Sequence, residues 1–250
     1  MSARPRLSLV VPCYNEEENV HDLLEECFRV LRTIGETFEM IAIDDGSRDH
    51  TLENLRAEQA LRPELRIIKM RHNTGQSGAL IAGFAAARGD MIATVDGDLQ
   101  NDPADIPALF ELVRRRQCDV ASGWRRKRKD SVLRRISTRV ANSVRKTFLG
   151  DGMNDSASSM KVYRREALEH LPVFNGMHRF FPALAMMRGF RVMEVPVSHR
   201  ARLRGQAKYG LWNRVFRATI DMFGVAWLRR RALRIEPSEL TVTEPVDQIS

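Results

Sequence analysis

The chain has 250 residues, of which 43% are hydrophobic and 29% charged, with a formal net charge of +8. Apolar runs recur throughout, which excludes a largely disordered, collagen-like or coiled-coil chain. No stretch of about 18 apolar residues reads as a spanning helix, and residues 1–6 lack the apolar core of a signal peptide.

The elements alternate through the first half. Leu7–Val11 reads as a buried strand. Residues 16–31 read as a helix with Val20, Leu23, Leu24, Cys27, Phe28 and Leu31 on one face. Met40–Ile43 is a second strand. Asp49 caps a helix to Leu61, with Pro63 beyond its end. Leu65–Met70 is a third strand, residues 75–88 a small-residue helix, and Met91–Val95 a fourth strand. Pro103 opens a helix to Arg116, and Asp119–Ser122 is a fifth strand. This alternation predicts a mostly parallel sheet with helices on both faces. The second half is less regular. Ser131–Leu149 is a basic helix candidate, Ser159–Tyr163 and Arg191–Val197 are strand candidates, and Leu211–Arg234 is a long helix. The acidic, proline-containing tail at 235–250 reads as disordered.

Charge is polarised along this order. Residues 114–146 carry 13 Lys or Arg against two Asp, and residues 188–234 carry 12 against Glu194 and Asp221. Such segments seek phosphate on nucleic acid, on anionic lipid or on a phosphorylated ligand. Cys13, Cys27 and Cys118 are scattered, which fits a reducing compartment and argues against a disulfide framework or a zinc site. Cytoplasmic is the default reading.

Open parallel sheets bind ligands beyond the carboxyl ends of their strands. There the sequence offers Pro12-Cys13-Tyr14-Asn15-Glu16, Asp44-Asp45-Gly46-Ser47, Asn73-Thr74-Gly75, Asp96-Gly97-Asp98-Leu99-Gln100 and Gly123-Trp124-Arg125. Two carboxylates one residue apart can share a hard divalent cation, with water and substrate phosphate filling its shell. Asp-Gly-Asp is also ordinary turn chemistry. No G-x-G-x-x-G follows the first strand, and no P-loop is present, which disfavours dinucleotide redox chemistry and P-loop hydrolysis.

Taken together, these blocks resemble the inverting glycosyltransferases of family 2, whose fold is GT-A, a Rossmann-like α/β sandwich. Tyr163-Arg164-Arg165, His178–Leu184, Glu194–Val197 and His199-Arg200-x-Arg202-x-x-Gly205-x-x-Lys208-Tyr209-Gly210 are similar to the dolichyl- or polyprenyl-phosphate mannosyltransferase branch. The resemblance spans roughly residues 6–230. It implies a GT-A domain over 1–210, an amphipathic helix over 211–234 and a tail over 235–250. It implies Pro12, Tyr14, Glu16, Ile43 and Asp45 around the nucleoside, Asp96, Gly97 and Asp98 against the nucleotide-sugar, and Asp96, Asp98 and Gln100 at a Mg²⁺ or Mn²⁺ ion on the diphosphate. Arg202 and Lys208 would close over the donor. Arg125, Arg135 and Ser137 would meet the acceptor phosphate, and Asp98, Arg125 and Lys208 would carry the catalysis. Ala207 stands where the branch usually has Ser. Asn154-Asp155-Ser156-Ala157 departs from the usual turn, which leaves the role of Asp155 open. The spanning helices that follow in many relatives are not in this sequence.

The implied reaction moves a hexose, mannose from GDP-mannose in most of the branch, onto a polyprenyl phosphate. The protein would sit on the inner face of the cytoplasmic membrane, alone or with a membrane subunit. Helix 211–228 carries Trp212, Phe216, Phe223 and Trp227 among arginines, and suits either an interfacial helix or a core helix with a basic stripe. Trp124 and the run Arg125–Lys129 would add electrostatic attraction to a membrane. Two other functions compete: the same fold acting on a saccharide or small-molecule hydroxyl, and a basic nucleic-acid-binding module. The second leaves the acidic strand ends unexplained, so nucleic acid is not expected as a partner.

Overall fold

The computed structural model describes residues 4–125, 148–200 and 211–231, the side chains of 211–218 excepted. The expected roles of Arg135, Ser137, Arg202 and Lys208 lie outside the described residues. So do the cationic run 126–129, nearly all of the helix expected over 131–149, and the tail.

Seven strands form one sheet: β1 (Leu7–Cys13), β2 (Phe38–Asp44), β3 (Leu65–Lys69), β4 (Met91–Thr94), β5 (Val120–Arg125), β6 (Lys161–Arg164) and β7 (Val192–Val197). Their order is β3-β2-β1-β4-β6-β5-β7. All neighbours are parallel except β6, which runs antiparallel to both β4 and β5. The mostly parallel sheet is as the alternation predicts. What periodicity cannot show is that β6, some forty residues after β5, inserts between β4 and β5. Strand pairing is set by tertiary fit, and a four-residue strand carries no label for its neighbour.

The helices are α1 (Val20–Thr33), α2 (Thr51–Leu61), α3 (Gly75–Ala86), α4 (Ile106–Arg114), α5 (Phe181–Met187) and α6 (Leu211–Arg231). Helix α1 starts at Val20 rather than at Glu16, because the Asn19 and Val20 amides bond the Glu16 carbonyl in a turn. Asp49 does act at the start of α2, accepting from the amide and the hydroxyl of Thr51. Alternate strand residues feed two cores, as the period-2 geometry requires. Leu9, Val11, Met40 and Ala93 pack with α1 and α4, with Cys13, Cys27 and Cys118 buried among them. Val10, Ile41, Ile43, Ile92, Val120 and Tyr163 pack with α3, α5 and α6.

Helix α6 buries one face in the second core and exposes another. Met222, Val225 and Ala226 are buried in the second core, whereas Ile220, Phe223 and Trp227 are exposed. No helix among the described residues is long and apolar enough to cross a membrane.

Candidate active site

The strand order reverses between β1 and β4, so the loops leaving their carboxyl ends flank a crevice. The loop after β1 is stitched to the loop after β2. The Asp45 amide bonds the Cys13 carbonyl at 2.8 Å, Asn15 N bonds Ser47 Oγ at 3.0 Å, and Glu16 N bonds Thr51 Oγ1 at 2.8 Å. Pro12 and Ile43 are direct register partners across β1 and β2. Glu16 accepts from Asn19 Nδ2 at 2.7 Å. A Cβ on Gly97 would lie 3.0 Å from the Pro12 carbonyl and 3.5 Å from Glu16 Cγ, so glycine there lets the end of β4 close on the end of β1. Pro12, Glu16, Asp96, Gly97 and Asp98 therefore border one crevice, with Tyr14 on the same loop, whereas Ile43, expected beside the nucleoside, is 0% exposed and packs into the second core.

Asp45 is anchored to the start of α3. Its Oδ1 accepts from Thr74 N and Thr74 Oγ1 at 2.8 Å each, and its Oδ2 accepts from Gly75 N at 2.8 Å. Both oxygens are occupied by the amino end of α3, where a carboxylate meets unsatisfied amides and a favourable helix dipole. Asp44, one residue earlier, is 1% exposed, and its Oδ2 has no partner among the described residues.

Burial and the neighbouring charge of Asp98 raise the Asp96 carboxyl to about 6, against the pull of Ser159, Arg125 and Lys161. Gln76 Nε2 donates to Asp96 Oδ1 at 2.6 Å. Leu99 turns the chain with φ 58° while its side chain enters the first core. Gln100 then donates its amide to Asp98 Oδ1 at 3.2 Å. The segment after β7 is strapped across this turn: Asn101 bridges His199, Arg200 N bonds the Gln100 carbonyl at 2.8 Å, and the Arg200 guanidinium pairs with Asp102 and Glu26. The chain thus reaches residue 200 beside the acidic triplet, immediately before the segment that carries Arg202 and Lys208.

Arg125, at the end of β5, is fixed by Asp155: Nε to Oδ2 at 2.7 Å and Nη2 to Oδ1 at 2.8 Å, with both side chains nearly buried. Glu194 on β7 holds that turn by accepting from the amides of Asn154 and Asp155. Asp155, whose role the sequence leaves open, is the ion-pair partner of Arg125. Lys161 was missed in the sequence, although a lysine between Met160 and Val162 in a strand is a visible anomaly. It is 2% exposed, donates to the Ser158 carbonyl, and burial lowers it to about 8, opposed by Asp155, Asp96 and Glu194.

Asp96, Asp98, Asp155 and Glu194 thus face Arg125 and Lys161, an excess of two negative charges that one divalent cation would cancel. Among the described residues no group of three or more His, Cys, Asp or Glu is arranged to hold a metal alone. A pair of carboxylates suits Mg²⁺ or Mn²⁺ completed by water and phosphate. A concavity of about 1020 Å³ lies elsewhere, at the amino ends of the strands between Arg4, Glu39, Arg66 and Arg165.

The family model "Glycosyl transferase family 2" matches residues 8–172, more than half of the chain. The chain belongs to glycosyl transferase family 2. The dodecaprenyl-phosphate galacturonate synthase of Rhizobium johnstonii is 40% identical over 234 residues, 91% of this chain and 68% of that protein. The undecaprenyl-phosphate 4-deoxy-4-formamido-L-arabinose transferase of Edwardsiella ictaluri is 35% identical over 207 residues, 82% of this chain and 63% of that protein. The chain thus spans about two thirds of the length of these relatives. Among solved structures, a mannosyltransferase of Pyrobaculum calidifontis with GDP-Man and Mn²⁺ aligns at TM-score 0.67 and 20% identity, over 94% of this chain and 67% of that one. Glucosyl-3-phosphoglycerate synthase of Mycobacterium tuberculosis with Mn²⁺, UDP-Glc and phosphoglyceric acid aligns at 0.66 and 18%, over 91% and 80%. The fold of this family 2 chain is GT-A.

The Asp96 value carries a prediction for cation binding. A carboxyl raised above its usual range is favoured in its neutral form by folding. By itself it stabilises the protein as pH falls through about 6, and it costs stability above that. A cation must displace that proton. Calorimetric Mn²⁺ affinity, measured with a nucleoside diphosphate present, should therefore be flat above pH 7 and fall up to about tenfold per unit below 6. An affinity unchanged from pH 7.5 to 5 would exclude Asp96 as a ligand.

Proposed function

We propose that this protein transfers a sugar from a nucleotide-sugar to a polyprenyl phosphate at the cytoplasmic face of a membrane. The observation that carries the reading is the Asp96/Asp98 pair at the β1/β4 crevice, beside Arg125 and the anchored start of the segment with Arg202 and Lys208. The names of the two relatives support a polyprenyl-phosphate acceptor. A divalent cation held by Asp96 and Asp98, with Gln100 beside it, would neutralise charge building on the departing diphosphate. Pro12, Tyr14 and Glu16 line the nucleoside side. Arg125, oriented by Asp155, presents cationic charge to the phosphates, with Arg202, Lys208, Arg135 and Ser137 proposed to join it. A phosphate monoester has a second pKa of about 6 and is largely dianionic at neutral pH, so it attacks the anomeric carbon with little need of a base. Asp98 would be the base for a hydroxyl acceptor. The resemblance implies inversion.

The donor sugar is the finer question. GDP-mannose is the commonest donor of the branch, whereas the two relatives are named for galacturonate and a formamido-arabinose. The test is a screen of GDP- and UDP-sugars, including GDP-mannose and UDP-galacturonate, with Mn²⁺ and polyprenyl phosphate in detergent. Metal-dependent label in the organic phase from one donor is the expected result. Label only in water-soluble product would replace the lipid acceptor with a saccharide or small-molecule hydroxyl.

The exposed face of α6 supports the membrane location. Ile220, Phe223 and Trp227 recur at helical spacing, Phe148 packs edge-on to Phe223 at 5.1 Å, and Arg231 stacks over Trp227 beside Arg229 and Arg230. Aromatics flanked by arginines suit an anionic interface. Phe223→Ser with Trp227→Ser should weaken flotation with phosphatidylglycerol vesicles about tenfold or more while leaving nucleotide binding intact. Unchanged flotation would move attachment elsewhere, and absence of flotation in the wild type would favour a membrane subunit.

A further inference from the structure

We propose that Lys161 is a positioning residue of this site, the buried counter-charge beneath its acids and the clamp on the turn that carries Asp155. The inference rests on the function proposed above. Lysine is almost never fully buried without a partner of opposite charge. In register, Lys161 on β6 lies opposite Thr94 on β4 and Ser122 on β5, and Ser122 lies opposite Glu194 on β7. Register partners project to the same face of a sheet. The four residues therefore form one polar row across four strands, level with a point two residues before Asp96.

Three members of the row grip the same turn. Lys161 donates to the Ser158 carbonyl, Thr94 Oγ1 donates to the Ser159 carbonyl at 2.5 Å, and Glu194 accepts from the amides of Asn154 and Asp155. Asp155 on that turn fixes Arg125. Lys161 is buried below this layer, so it acts through the turn and through its charge. The fold alone needs only a chain that fills the space and a donor to Ser158, and both could be neutral. The acids above are what call for an ammonium.

The test uses the full chain with Mn²⁺ in excess, titrated calorimetrically with UDP and with GDP. Lys161→Gln keeps a donor without the charge. Lys161→Arg keeps the charge and a donor. Lys161→Met removes both. Diphosphate affinity should fall about tenfold or more in the Met and Gln variants and stay within about threefold in the Arg variant, with melting temperature followed in parallel. Lys161→Met combined with Asp155→Asn should lose less than the product of the single losses, because both act on one network. Wild-type affinity in a folded Gln or Met variant overturns the proposal, as does rescue by Gln but not by Arg. If Lys161→Met does not fold, the Gln and Arg pair decides. A wild type that binds neither diphosphate overturns the proposed function, and this inference with it.

Discussion

Asp98→Asn should reduce sugar transfer by about a thousandfold or more while leaving the protein as stable as the wild type, or more so. The loss follows from removing one of the two carboxylates proposed to hold the cation. The stability follows from the same pair: the Asp98 charge, after burial, is what raises Asp96. An asparagine of the same shape relieves that repulsion and can still accept from the Gln100 amide. Transfer assays, together with thermal melts with and without Mn²⁺, check both halves. A variant with near-wild-type transfer would remove Asp98 from the mechanism. One that lost its fold would show that the acid is structural.

Asp155→Ala should have the largest effect on stability among the site substitutions. Arg125 and Asp155 retain only 14% and 10% side-chain exposure, and removing the acid strands a buried guanidinium. Breaking such a pair costs about 3–5 kcal/mol, which corresponds to a drop in melting temperature of roughly 10 °C in a chain of this size. Replacing both residues, Arg125→Ala with Asp155→Ala, should recover part of the stability, since no unpaired charge then remains. It should not recover transfer, because the cation proposed to face the phosphates is gone. Urea unfolding of the three variants measures the first expectation and the donor screen the second. Equal stability of Asp155→Ala and wild type would mean that Arg125 finds another partner.

The crevice was legible in the sequence because its chemistry is local. Asp96-Gly97-Asp98 and Pro12–Glu16 each sit at the end of an apolar run, and a parallel sheet puts all such ends on one edge. The same locality says nothing of what holds Asp45. Its motif names an acid at the site, but only the folded chain brings the amino end of α3 against both of its oxygens. Lys161 was passed over for a related reason. Its meaning comes from β6 inserting between β4 and β5, a pairing between segments about forty and seventy residues apart in sequence.

Helix α6 shows the division most plainly. Its sequence contains both an apolar face and aromatics among arginines, and it cannot say which face meets protein. Packing decides: Met222, Val225 and Ala226 meet the second core, which leaves Ile220, Phe223 and Trp227 outside. The sequence by itself determined the strand and helix alternation, the acidic edge and the family, because periodicity and short motifs are properties of neighbouring residues. The tertiary structure alone decided which charges are paired, since a salt bridge such as Arg125–Asp155 joins residues thirty positions apart, and burial, which sets its strength, belongs to the whole fold.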